Sequence, residues 1–300
     1  MTQPAVAVHA ACLLFVVADL WCRSERVRLM MRGAGSPISF LHALGLTAFG
    51  DAAALVTPWR AGGEIGRLVG ARAANVPTPV AAGVLGLEFS VAYSIAAVAS
   101  AVLIALYGGA WWTTVRSAGP DAVGAGGSLG PVIVGTTLVA MLALSFVPAV
   151  RAWLAALARG LRASLAAVRR IPPGTLALCY ALSVLSLVAR VSVLPVLALT
   201  LPDAPDAPDA GVLALVSFVL LYAQVAMPTP AGTGAVELAF LQGGVGFDNG
   251  SGAMLGGWRL YMTVLPAVFG FALGAVIYGR RAWQVLPFAR RDRVAPALNA

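Results

Sequence analysis

The chain has 300 residues, 60% of them hydrophobic and 11% charged, with a mean hydropathy of +0.88. A soluble domain is about 45–50% apolar and about 25% charged, so these figures exclude a water-soluble globular protein and indicate a polytopic membrane protein. The net charge of +8 comes from 20 basic residues, all arginine. They lie beside apolar runs, which suits an anionic cytoplasmic leaflet and not nucleic acid.

Residues 5–21 form an apolar run interrupted by His9 and Asp19, and Arg23, Arg26, Arg28 and Arg32 follow it. A cleaved signal peptide carries its charge before the apolar core, so a retained first span with its N-terminus outside is expected. Residues 40–56 form a shorter run carrying His42 and Asp51, which ends at Thr57-Pro58-Trp59-Arg60-Ala61-Gly62-Gly63-Glu64. Residues 79–108 read as a span containing Glu88, and 129–150 as another beyond a glycine-rich loop. From 151 to 170, arginines on one helical face oppose leucines on the other, the pattern of a helix lying at the membrane surface. Residues 175–201 span again with Arg190 in mid-run, then comes a Pro-Asp-Ala repeat at 202–209. A last span covers 253–278 with Arg259 inside, and the tail 287–300 is expected to be loose and cytoplasmic.

The stretch from Met227 to Glu237, Met-Pro-Thr-Pro-Ala-Gly-Thr-Gly-Ala-Val-Glu, separates two apolar runs. Pro228 and Pro230 stop the arriving helix, and Gly232 and Gly234 let the backbone turn. A new helix is expected from Gly234, with Glu237 in its first turn at the positive end of the dipole. The earlier turn has the same grammar: Pro58, the pair Gly62 and Gly63, then Glu64.

Arginine placement constrains topology. Segments 23–32, 151–170 and 280–293 hold 14 of the 20 arginines, and the positive-inside rule puts all three in the cytoplasm. This works when residues 37–72 enter and leave from the inside and 212–246 enter and leave from the outside. The expected fold is therefore all-α, with about five full spans and two oppositely oriented re-entrant helical hairpins in one membrane domain, residues 1–286. An inverted repeat of broken helices is the pattern of transporters that bind substrate near the bilayer midplane.

The candidate site residues are the charged groups in or beside apolar runs: Arg60, Glu64, Arg67, Glu88, Arg190, Glu237 and Arg259, with Asp51 in the same class. Each unpaired charge costs about 2.5–3.5 kcal/mol at a helix centre, so they should pair or line a wet cavity. Glu64 stands i+4 from Arg60, and Arg67 stands i+3 from Glu64, which allows a partly self-neutralised strip. Together they suggest a net-positive cavity for an anionic headgroup, since an arginine fork matches phosphate oxygens. No metal site or cofactor is expected, because His9, His42, Cys12, Cys22 and Cys179 are scattered without ligand spacing. Glu64, Glu88 and Glu237 leave a paired-carboxylate enzyme open.

The segment Pro-Thr-Pro-Ala-Gly-Thr-Gly-Ala-Val-Glu resembles the P-x-P-G-G-x-G-x-x-E signature of the lysylphosphatidylglycerol synthase transmembrane-region family. The earlier Thr-Pro-Trp-Arg-Ala-Gly-Gly-Glu-Ile-Gly-Arg resembles its T-P-x-R-x-G-G-E-x-x-R segment, and the likeness extends over roughly residues 10–280. Ala231 stands where the family pattern has the first glycine of a pair. In the fused resistance-factor enzymes this region is a flippase for aminoacylated phosphatidylglycerol, beside a soluble aminoacyltransferase domain. No such domain is expected here. The resemblance thus implies a flippase or transporter of an anionic or zwitterionic phospholipid, in the bacterial cytoplasmic (inner) membrane. The alternative is a membrane-embedded enzyme, or an accessory subunit acting on lipid-linked substrates with a separate transferase. Expected partners are membrane lipids, a second copy of the chain and a separate soluble transferase.

Overall fold

The structure is a computed structural model that describes residues 3–57, 60, 62–117, 164–200, 209–226, 229–234, 236–237, 240 and 251–278. The expected span 129–150, most of the surface helix 151–170, the 202–208 repeat, Pro58, Pro228 and the tail lie outside these. Among the described residues every regular element is helical.

α1 (Gln3–Gly33) is longer than its apolar run and carries Arg23, Arg26, Arg28 and Arg32 within the helix. The hydropathy signal stops at Trp21 because charged side chains follow, yet Arg26 is buried and Arg23 nearly so. These two are therefore not part of a solvated cytoplasmic cluster, as their spacing after the apolar run suggests. α1 ends in a Schellman turn: Gly35 takes φ +84°, Ser36 N–H donates to the Met31 carbonyl, and Gly35 N–H donates to the Arg32 carbonyl.

α2 (Phe40–Val56) starts on a Ser39 cap, whose hydroxyl accepts from His42 N–H at 3.2 Å. α3 (Gly62–Ala73) packs back along it as a hairpin, and ends in a second Schellman turn with Asn75 at φ +61°. At about 1.5 Å per residue, the 17 residues of α2 reach about 26 Å, short of a hydrocarbon core of roughly 30 Å. α4 (Thr78–Ser117) follows, then α5 (Pro173–Val191) and α6 (Val193–Ala198). α7 (Ala210–Ala226) leads into the 3₁₀ turn Pro230–Gly232. The last helix is α8 (Ser251–Arg259), a π-helical turn (Leu260–Val264) and α9 (Leu265–Ile277).

Among the described residues, four helices are long and apolar enough to cross a membrane: Val6–Gly33, Thr78–Trp111, Pro173–Ala198 and Gly252–Ile277. Phe40–Val56 and Ala210–Gln224 are shorter apolar helices among the same residues. The chain is an all-α, multi-pass membrane protein.

α2 lies at the centre, against α1, α3 and α9. Its contact with α9 depends on small residues: a Cβ on Gly270 would strike the Ala48 carbonyl, and one on Gly274 would meet the Phe49 ring at 2.6 Å. Close backbone approach of this kind is how helices associate in lipid, where apolar burial gives no net drive. Two packed clusters flank this centre. One gathers Trp258, Phe240, Leu220 and Leu194, and the other Met30, Met31, Leu46 and Tyr278.

Candidate functional site

Both Pro/Gly turns hold a residue in the left-handed region that is not glycine: Arg60 at φ +56° and Ala231 at φ +55°. Such strain, of order 1–3 kcal/mol each, gathers at functional sites. The turns are also stitched alike by threonines. The Thr57 hydroxyl donates to the Ala53 carbonyl at 2.9 Å and accepts from Gly62 N–H at 2.8 Å. The Thr229 hydroxyl donates to the Thr233 carbonyl at 2.6 Å. After the second turn, Gly234 has φ +92° and donates its N–H to Glu237 Oε2 at 2.7 Å, while Val236 and Glu237 are helical. That is the reciprocal arm of a capping box, so Glu237 opens the new helix.

The turns meet inside the protein. Arg60 Nη1 donates to Gln224 Oε1, and the 3₁₀ turn packs against α2. Gly232, at φ +65°, lies so close to the Gln224 backbone that a Cβ there would collide with it. Ala231 occupies a conformation that costs an L-residue about 1–2 kcal/mol. Ala231→Gly should therefore melt no lower than wild type, and up to about 1 kcal/mol more stably. Gly232→Ala should melt well below wild type; thermal unfolding in detergent, followed by size-exclusion recovery, checks both.

Among the described residues, the charged candidates and their partners resolve into three groups. In the first, Arg26 pairs with Glu88 Oε1 and Arg67 with Glu88 Oε2, while Arg67 Nη1 reaches Glu64 at 3.2 Å. The Glu88 side chain is only 3% exposed, and Arg26 also donates to the Ser183 hydroxyl at 2.6 Å. This chain ties α1, α3, α4 and α5 together. In the second, Arg259 Nη2 meets Glu237 Oε1 at 2.6 Å, joining the second turn to the last helix.

The third group lines a small polar cavity formed by Val16, Asp19, Arg23, Asp51, Arg60, Arg190, Met262, Thr263 and Pro266. Arg23 forks onto Asp51 with bonds of 2.9 and 2.6 Å, and its Nε lies 3.1 Å from Asp19. Asp19 also accepts from the Ser186 hydroxyl at 2.5 Å. Among the described residues neither Arg60 nor Arg190 has a carboxylate within salt-bridge reach. Three arginines face two aspartates, so the cavity carries a formal +1. Met262 and Thr263 come from the π-helical turn, a distortion frequent at functional sites. The volume is about 20 Å³, room for about one water. In this state the cavity is closed to anything larger.

Of the seven candidates from sequence, Arg60 and Arg190 line this cavity. Glu64, Arg67 and Glu88 belong to the buried chain, and Glu237 and Arg259 to the turn-holding pair. Sequence reasoning left out Asp19, Arg23, Arg26 and Gln224. Asp19 and Arg23 were detectable: an i,i+4 pair next to or within an apolar run needs a further partner in the membrane.

A profile of the family described as lysylphosphatidylglycerol synthase TM region matches residues 2–278. The chain belongs to this family. No curated protein and no solved structure matches it. Both turns quoted for the resemblance lie within the match, and the family is one of membrane proteins acting on lipids. The left-handed Ala231 also gives the physical reason for glycine at this position of the lysylphosphatidylglycerol synthase pattern.

Proposed function

We propose that the protein is a lipid transporter that moves an anionic or zwitterionic phospholipid between leaflets, with its headgroup site in the Arg60/Arg190 cavity. The observation that carries this reading is the cavity itself. Two arginines without carboxylate partners face the place where the first broken segment meets the second. A phosphodiester in a low-dielectric site needs fixed cations with forked donors, and this arrangement supplies them. The Asp19–Arg23–Asp51 group holds the cavity wall and offers carboxylates to a headgroup amine.

The shortness of α2, α3 and α7 supports re-entrant hairpins, and the arginine distribution supports their entry from opposite leaflets. Rocking of one hairpin against the other then exposes the cavity to each leaflet in turn, as in other inverted-repeat transporters. Arg259 and Glu237 act as positioning residues that hold the second turn. In this reading the protein sits in a bacterial cytoplasmic membrane with its N-terminus outside, and a separate soluble transferase supplies aminoacylated lipid.

The test is translocation of headgroup-labelled phosphatidylglycerol and lysylphosphatidylglycerol in vesicles holding the purified protein, with and without imposed proton and potential gradients. Wild-type protein should accelerate movement of at least one of them over protein-free vesicles. No acceleration of either under any gradient would overturn the reading.

A further inference from the structure

An apolar groove of about 240 Å³ runs between α1 and α9, lined by Leu13, Val16, Val17, Leu20, Leu265, Pro266 and Phe269. Two of these, Val16 and Pro266, also line the polar cavity. The groove therefore lies directly against the arginine site, with Val16 and Pro266 as the shared wall, and it opens outward past Leu13, Val17 and Phe269, which are 50%, 57% and 43% exposed. Polar and apolar compartments meet at one neck, between a β-branched side chain on α1 and a proline in the first turn of α9. Pro266 lacks a backbone N–H, and the π-helical turn lies immediately before it. The last helix is thus irregular at the neck itself.

We infer that the α1–α9 groove seats an acyl chain of a monoanionic phospholipid whose phosphodiester binds Arg60 and Arg190, so that the lipid reaches the cavity sideways from the bilayer. This rests on the headgroup site proposed above. The occupant follows from complementarity. The cavity carries +1 and two arginines without carboxylate partners, which suits one phosphodiester charge. The groove offers only hydrocarbon to whatever lies in it. An amphipathic molecule with one anionic end satisfies both compartments, whereas a free anion leaves the groove unused and a zwitterionic lipid brings with its phosphodiester a cation that the net-positive cavity repels. Lateral access also fits a cavity that holds about one water in this state, since the chain can dock in the groove before the headgroup site opens.

The test uses the full protein in nanodiscs doped with phosphatidylglycerol or phosphatidylcholine bearing an acyl-chain diazirine, followed by peptide mapping after illumination. Labelling at Leu13, Val17 and Phe269 should favour phosphatidylglycerol over phosphatidylcholine. The excess should fall by about tenfold in Arg190→Gln, the equivalent of losing one charge-assisted hydrogen bond. Leu185, 51% exposed on α5, reports ordinary annular lipid and should change in neither comparison. Leu13→Trp, which fills the groove and leaves the arginines intact, should remove Phe269 labelling. Equal labelling by both lipids that is insensitive to Arg190→Gln would show annular lipid only and overturn the inference. The two readings fail separately. Transport without groove-specific labelling removes the acyl seat alone, and arginine-dependent labelling without transport removes the transporter alone.

Discussion

Glu88→Ala should cost about 3–5 kcal/mol, the penalty for stranding buried cations. The carboxylate stands between Arg26 and Arg67, all three side chains are at most 12% exposed, and each arginine takes a different oxygen. Removing it leaves two guanidinium groups facing each other, with only the half-exposed Glu64 to compensate Arg67. The variant should yield little monodisperse protein and melt far below wild type in thermal size-exclusion recovery. The companion variant Arg26→Met/Glu88→Leu/Arg67→Met removes the charges together and should recover much of the loss, because a packed apolar replacement avoids the desolvation cost. A Glu88→Ala protein melting within about 0.5 kcal/mol of wild type would place it among ordinary surface substitutions and contradict the buried chain.

The second large effect is functional. Arg60→Gln/Arg190→Gln takes the cavity from three arginines against two aspartates to one against two, a formal change from +1 to −1. Each charge-assisted hydrogen bond to phosphate contributes about 1.5–3 kcal/mol, so losing two should lower translocation by at least about 100-fold. The protein should still fold, with a lowered melting temperature, since Arg60→Gln removes the bond to Gln224 while the Asp19–Arg23–Asp51 and Arg26–Glu88–Arg67 groups are untouched. Arg32→Gln, exposed at the end of α1, should transport as wild type does. If the double variant transports normally, phosphate is held elsewhere, and the Arg259–Glu237 pair is the next site to examine.

What the sequence made legible follows physical range. Hydropathy located the long helices, because twenty apolar residues in lipid have few alternatives to a helix. Proline and glycine marked both turns, and the dipole argument placed Glu237 in a first helical turn, where it caps Gly234. Glu64 and Arg67 were paired correctly because i,i+3 neighbours share a helix face. Long-range pairing was beyond reach. Nothing in local spacing says that Arg26 meets a carboxylate 62 residues away, or that Arg23 takes Asp51 and Arg60 takes Gln224. Arg23 and Arg26 show the same limit: arginines after an apolar run signal a membrane boundary by composition, and only tertiary pairing shows that these two are buried in the protein.

The central claim is that the Arg60/Arg190 cavity holds a lipid phosphate. The most direct measurement is an electron cryomicroscopy map of the protein in nanodiscs rich in phosphatidylglycerol. The account predicts headgroup density within hydrogen-bond distance of both guanidinium groups, about 2.7–2.9 Å from nitrogen to oxygen, with an acyl chain leaving past Val16 and Pro266. A cavity without phosphate density, with an ordered headgroup instead on Arg259 or on the outer ends of the helices, would contradict it.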